Sequence, residues 1–116
     1  MKAREYCSFK RTYSALEGLQ EEHTLLYMAG AWPQGAVMEL QLHQGGRIKR
    51  SAVLCPDIRF TRAMDLMRYL SENSIGLESW CGVLEDVGQW YIPLSESQLE
   101  CIESSDPEKC GVFCGI

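Results

Sequence analysis

The sequence feature that most constrains the fold is a pair of patterned segments on either side of Gly45-Gly46. Residues 36–44, AVMELQLHQ, alternate between apolar and polar side chains, and residues 47–55, RIKRSAVLC, end in an apolar run. Period-two alternation is typical of a strand, and a glycine pair between two such runs is typical of a β-hairpin. These segments therefore predict two antiparallel strands, against which the rest of the chain must pack.

The register of this hairpin is predicted from the match between apolar positions. A three-residue loop, 44–46, places Leu42 opposite Ile48, whereas a two-residue turn at Gly45-Gly46 places Leu42 opposite Lys49. A slip by one residue turns a whole strand face over, so the register that pairs apolar residues is expected. The loop would then contain a glycine bulge.

Two amphipathic helices are predicted after the hairpin. Pro56 ends the strand because it has no backbone N–H, and Asp57 is a preferred N-cap residue. Apolar residues then recur at three- and four-residue spacing over 58–73, which predicts one helix, and over 77–87, which predicts a second. Gly88 is a natural stop for the second helix.

Further segments complete the predicted secondary structure. Residues 5–13 alternate and residues 23–30 form a short apolar run, so both are predicted to be strands. Residues 89–94 are apolar, which fits either a strand or a segment packed on the core. Ser95 and Gln98 have capping-box spacing, which predicts the start of a short helix.

These elements predict an α+β fold class, with a small antiparallel sheet packed against two or three helices in a single domain. A chain of 116 residues, 46% of them hydrophobic, is sufficient for one core. The α+β domain is predicted to span 1–94. Residues 95–116 are predicted to be a C-terminal helix and Cys-bearing tail, either packed on the domain or extending from it.

Charge and hydropathy narrow the class of protein. No stretch approaches the roughly 18–20 uninterrupted apolar residues of a membrane span, and the N-terminus lacks the apolar core of a signal peptide. A cytoplasmic protein without a membrane partner is therefore expected. Residues 1–68 carry ten Lys/Arg against seven Asp/Glu, whereas residues 69–116 carry one Lys against nine acids, a net −8. This acidic half disfavours direct nucleic-acid binding and favours a protein partner.

The six cysteines allow a metal or thiol function as one alternative. Reduced thiols are expected, because the chain has no export signal and is long enough to form a core without disulfides. Cys101, Cys110 and Cys114 are the candidate metal site, since one close Cys pair and a third Cys supply part of a structural zinc site. Thiol exchange by the same C-terminal cysteines is the other form of this alternative. No cofactor is expected apart from this candidate zinc ion.

No combination of residues predicts a catalytic site. The chain has two histidines, His23 and His43, and neither belongs to a known nucleophile motif. Trp32, Trp90 and Tyr91 are instead candidate protein-binding residues, since Trp and Tyr are common interface anchors. The expected function is therefore a non-enzymatic cytoplasmic module that binds and regulates another protein.

A second expected function is a small acidic inhibitor of a nucleic-acid-processing enzyme. The acidic surface of the C-terminal half would be complementary to the basic groove of such an enzyme. Glu96, Glu100 and Glu103 would contribute to that surface.

The order of the predicted elements resembles that of a family of small bacterial proteins of unknown function. Members of this family run from a glycine-containing hairpin into an Asp-capped amphipathic helix, and then into a second helix that ends in Val-Ile-Glu-Asp. The residues that carry the resemblance, within residues 25–88, are Gly45-Gly46, Asp57, Met64, Met67, Leu70, Ile75 and 83–87. The positions that depart from the family pattern are Gly76, Trp80, Gly82 and the whole of 89–116. The resemblance implies the order of the fold and no activity.

Overall fold

The computed structural model describes residues 6–18 and 20–104, the last four of these by their backbone alone. The elements in chain order are β1 (Tyr6–Tyr13), β2 (His23–Trp32), β3 (Gly35–Gln44), β4 (Arg47–Pro56), α1 (Phe60–Glu72), α2 (Trp80–Asp86), β5 (Ile92–Leu94) and α3 (Glu96–Ser104). The strands form one antiparallel sheet in the order β1-β2-β3-β4-β5. Each strand thus pairs with the next one along the chain. The predicted combination of an antiparallel sheet with helices is confirmed, although the sheet is larger than expected.

One face of the sheet is covered by α1 and α2 and forms the main core, here called the helix face. Its fully buried side chains include Tyr27, Met38, Leu40, Cys55, Met67, Leu70, Trp80 and Leu84. Two hydrogen bonds connect the α1–α2 region to the sheet. The Tyr27 hydroxyl donates to the Ile75 carbonyl oxygen at 2.8 Å, and Trp80 Nε1 donates to the Ser51 hydroxyl at 2.9 Å. The apolar stripes predicted for both helices are therefore confirmed as core.

The hairpin register predicted from apolar pairing is wrong. Gly45 and Gly46 have φ values of 57° and 77°, and they alone form the turn, so that Leu42 lies opposite Lys49 rather than Ile48. Two successive left-handed residues make a two-residue turn whose twist matches that of the strands, and only glycine adopts this conformation without steric cost. The turn geometry thus outweighs apolar matching at the exposed end of the hairpin.

The opposite face of the sheet, here called the second face, is also buried at its centre. Val37 and Leu54 are almost fully buried there, and so is Glu39, with 3% of its side chain exposed. Arg50 Nε lies 2.6 Å from Glu39 Oε2, and Gln41 Nε2 donates to the same oxygen at 2.7 Å. The alternating sequence of β3 predicts a polar outer face, and the structure differs because this face buries an ion pair.

The predicted cap of the first helix is also wrong. Asp57 has a φ of 62°, and its backbone N–H donates to the Gln34 carbonyl oxygen at 2.6 Å, so it forms a turn against the β2–β3 connection. The helix begins at Phe60, after Arg59, and no side chain caps it. The end of β4 is therefore joined to the neighbouring turn before the chain enters α1.

The capping box predicted at the start of α3 is confirmed. The Ser95 N–H donates to Gln98 Oε1 at 2.7 Å, and the Gln98 N–H donates to the Ser95 hydroxyl at 3.2 Å. Leu99 of this helix is 2% exposed, so α3 packs on the rest of the fold. Across the described residues, no helix is both long and apolar enough to cross a membrane.

Candidate protein-binding site

The three tryptophans of the chain occupy very different environments. Trp80 is fully buried in the main core, Trp32 is 6% exposed on the second face, and Trp90 is 64% exposed. Of the predicted binding residues, Trp32 therefore lies away from the surface. Trp90 and Tyr91 remain together on the segment between α2 and β5.

Hydrogen bonds on both sides fix the backbone that carries Trp90. Gly88 has a φ of 74° and ends α2, with its N–H donating to the Glu85 carbonyl oxygen at 3.1 Å. The Gln89 N–H donates to the Leu84 carbonyl oxygen at 2.8 Å, which completes a two-bond helix terminus. The Gln89 side-chain amide donates to the Trp90 carbonyl oxygen at 3.0 Å. Because β5 begins two residues later, Trp90 is presented from a short segment with anchored ends.

Trp90 borders a surface cleft of about 530 Å³, here called the Trp90 cleft. Its lining residues are Glu85, Gly88, Gln89, Trp90, Tyr91 and Pro93. Val87, on the same turn, is 46% exposed, so a second apolar side chain lies close to Trp90 along the chain. Glu85 and Asp86 are both exposed at the end of α2. The cleft therefore combines an aromatic surface with adjacent negative charge.

Tyr91 connects this cleft to the core. It is partly buried against the main hydrophobic cluster, and its hydroxyl lies near Cys81 and Glu85. Burial raises the pKa of Tyr91, and the nearby Cys81 and Glu85 raise it further. Burial also raises the pKa of Cys81, although the nearby Tyr91 hydroxyl opposes that effect. Both groups are thus protonated at neutral pH.

A second and larger concavity lies beside the β3–β4 turn, here called the hairpin groove. Its volume is about 890 Å³. Four consecutive residues of β4, Ile48, Lys49, Arg50 and Ser51, contribute to its lining, together with Leu77 and Glu78 before α2 and Glu96 at the start of α3. No local sequence pattern predicts this groove, because its walls come from segments that are far apart along the chain.

Both histidines hydrogen-bond with neighbouring groups of the sheet region. His23 Nδ1 hydrogen-bonds with the Glu21 carbonyl oxygen at 2.9 Å, and its ring stacks on Tyr13 at 4.7 Å between centroids. His43 Nε2 hydrogen-bonds with Gln41 Oε1 at 2.8 Å, which extends the polar row around Glu39. Among the described side chains, neither ring hydrogen-bonds with a Ser or Cys. The imidazoles are thus held by structural contacts.

The described cysteines are free thiols. Cys55 is fully buried, and burial raises its pKa to about 12, whereas Cys7 and Cys81 are partly buried. Within 6–18 and 20–104, no three His, Cys, Asp or Glu side chains are grouped as metal ligands. The candidate zinc ligands Cys110 and Cys114 lie outside the described residues, as does the Cys101 side chain. The zinc or thiol site therefore stays a prediction.

Comparisons with known protein families, curated proteins and solved structures found no match to this chain. The resemblance to a bacterial family of unknown function thus stays a prediction.

Proposed function

We propose that this protein is a non-enzymatic, cytoplasmic α+β module that binds and regulates another protein through the Trp90 cleft. The observation that carries the proposal is the exposure of Trp90, 64%, in a protein that buries its other two tryptophans. Tryptophan is among the residues most enriched at the energetic centres of protein interfaces.

The size of the exposed surface supports a role in binding. Covering the exposed part of Trp90, roughly 100–160 Å², would contribute about 2.5–4 kcal/mol to an association. Because the segment that carries Trp90 is anchored at both ends, its backbone loses less conformational entropy on binding. The cleft beside Trp90 gives a partner side chain room to insert.

The charge beside Trp90 favours a cationic group on the partner. Glu85 lines the cleft and Asp86 follows it on the exposed end of α2. An Arg or Lys side chain over the indole ring would gain a cation–π interaction and would lie near these carboxylates. The expected partner surface therefore carries at least one Arg or Lys next to an apolar patch.

This charge preference also supports the second candidate function, inhibition of a nucleic-acid-processing enzyme. Enzymes of this class present Arg and Lys along the groove that binds phosphates. The net −8 of residues 69–116 and the carboxylates beside Trp90 are complementary to such a groove. Glu96 and Glu100 are exposed on α3 and belong to the same acidic half of the chain.

The proposal is tested by affinity enrichment with matched variants, followed by binding measurements with the purified protein that is captured. Trp90→Ala removes the proposed anchor, and Tyr69→Ala removes an aromatic residue of similar exposure, 52%, on α1. A partner that uses the cleft is captured by the wild type and by Tyr69→Ala. Its Kd for Trp90→Ala is expected to rise by about 50- to 1,000-fold.

Charge variants separate the two candidate functions. The double variant Glu85→Lys and Asp86→Lys is expected to lower the affinity for a basic partner by about tenfold or more. The control variant Glu72→Lys, at the exposed end of α1, is expected to change that affinity little. A captured nuclease or polymerase that is inhibited by the wild type and by Glu72→Lys supports the inhibitor function. Equal affinity of Trp90→Ala and the wild type for every captured protein contradicts the role of the cleft.

A further inference from the structure

The outer side of β4 is only partly paired by the described residues. β4 has ten residues, whereas β5 has three and pairs with Ala52, Val53 and Leu54. The preceding residues Arg47, Ile48 and Lys49 are all exposed, and Ile48 exposes 57% of its surface. Before Ala52, therefore, this side of β4 extends past the end of β5.

The backbone of Ile48 is directed toward that outer side. A two-residue turn makes Gln44 and Arg47 a hydrogen-bonded pair, and hydrogen bonding then alternates along the ladder. The odd-numbered residues of β4 therefore bond to β3, and Ile48 turns its N–H and C=O outward. The position of Pro93 agrees with this pattern, because a residue without an N–H lies opposite odd-numbered Val53.

The hairpin groove runs along this same edge. Successive side chains of a strand point to opposite faces of the sheet, yet the consecutive residues 48–51 all line the groove. The groove spans the helix face, where Leu25 and Leu42 line it, and it reaches the edge of β4, because Ile48 and Arg50 belong to the second face and also line it. Leu77 forms part of its wall on the helix face.

We propose that this edge binds an extended acidic segment of a partner protein, which adds a strand to the sheet beside β4. Strand addition uses main-chain hydrogen bonds for affinity and alternate side chains for specificity. Arg47 and Lys49 lie on the helix face and Ile48 on the second face. The added strand therefore carries acidic residues opposite Arg47 and Lys49 and an apolar residue opposite Ile48.

Charge also defines which occupants are disfavoured. A second copy of this chain paired through β4 would bring Arg47 and Lys49 of one copy against those of the other, and like charges directly opposite destabilise a sheet. Lysine on an edge strand is a common protection against such self-association. Glu78 and Glu96 line other parts of the groove and would repel acidic residues of the partner segment. The acidic residues of that segment are therefore expected beside Arg47 and Lys49.

The test uses the full chain and two synthetic peptides, acetyl-Thr-Glu-Val-Glu-Val-Thr-amide and its counterpart with Lys in place of Glu. Amide NMR spectra and hydrogen exchange are recorded during each titration. The acidic peptide is expected to shift the amides of Arg47, Ile48 and Lys49 and to slow exchange at Ile48. The basic peptide is expected to bind about tenfold more weakly, because two attractions become repulsions.

Three variants keep the test decisive. Ile48→Pro removes the outward donor and leaves the β3 ladder intact, so it is expected to abolish binding, whereas Ile48→Val retains it. Lys49→Glu leaves Arg47 as the one cation opposite the added strand, so it is expected to remove the preference between the two peptides. The proposal is overturned if the amide shifts fall outside the β4 edge, or if folded Ile48→Pro binds the acidic peptide as well as the wild type. It is also overturned if, without peptide, a concentration-dependent dimer protects the Ile48 amide from hydrogen exchange.

Discussion

The ion pair between Glu39 and Arg50 gives the sharpest prediction for stability. Arg50 Nε and Nη2 contact the two carboxylate oxygens of Glu39 at 2.6 and 3.3 Å, and the Glu39 side chain is 3% exposed. In the variant Arg50→Met the carboxylate stays buried, with the Gln41 amide as its described hydrogen-bond donor. The variant therefore leaves a buried charge without its cation.

The expected magnitudes follow from the exposure of the two side chains. Removing one partner of a fully buried pair costs about 3–5 kcal/mol. Since 20% of the Arg50 side chain is exposed, Arg50→Met is expected to cost about 2–4 kcal/mol. Glu39→Met should cost less, about 1–2 kcal/mol, because the remaining guanidinium reaches water. The double variant is expected to lie within about 1 kcal/mol of the wild type, since apolar replacement of both partners is often neutral.

Urea denaturation of the four proteins, followed by circular dichroism, measures these free energies as a double-mutant cycle. With the double variant near the wild type, the coupling between the two positions is expected to be about the sum of the single costs, about 3–6 kcal/mol. Asp65→Asn is the control, because Asp65 and Arg68 form an exposed pair at 3.6 Å and its loss should change stability by less than about 0.5 kcal/mol. Additive single effects, with a coupling below about 0.5 kcal/mol, would refute the argument that this contact governs the second face.

Three further predictions follow from the core and the turns. Gly35→Ala is expected to lower the free energy of unfolding by about 1–3 kcal/mol, because a Cβ would overlap the Cys55 carbonyl oxygen. Gly76→Ala is the control, and it is expected to be tolerated because the space around Gly76 is open. Urea titration compares the stability of the two variants. Trp80→Phe should cost about 1–3 kcal/mol in the same assay, since it removes the donor to Ser51 and leaves unfilled volume. Burial raises the pKa of Cys55 from 9.0 to about 12, so the folded state retains a proton that the unfolded state loses. The stability that this proton contributes is therefore fully present below pH 9 and is lost toward pH 12, with a loss of about 2 kcal/mol at pH 10.5. Urea titrations at pH 8 and 10.5 measure this loss, and Cys55→Ala is expected to reduce it.

Local patterns predicted most of the secondary structure. The alternation of residues 5–13 and 36–44, the helical stripe after Pro56 and the capping box at Ser95 all correspond to observed elements. These patterns succeed because backbone geometry sets periods of two and 3.6 residues within a single segment. The stop at Gly88 succeeds for the same local reason, since a left-handed residue ends a helix within its last turn.

The site was only partly predictable from the sequence. Trp90 and Tyr91 were identified by residue type, but the same reasoning selected Trp32, which is buried on the second face. Nothing local distinguishes Trp32 from Trp90, because exposure depends on which surfaces pack over each side chain. The hairpin groove gave no sequence signal at all, since β4, the segment before α2 and the start of α3 meet only in the fold.

The sequence by itself thus determined the order of strands and helices, the turn at Gly45-Gly46 and the uneven distribution of charge. Tertiary structure decided the burial of Glu39 with Arg50 and the turn at Asp57. The physical reason is the range of the interactions. Periodicity, capping and turn geometry act within a few residues, whereas burial depends on contacts between segments that come together only when the sheet is complete.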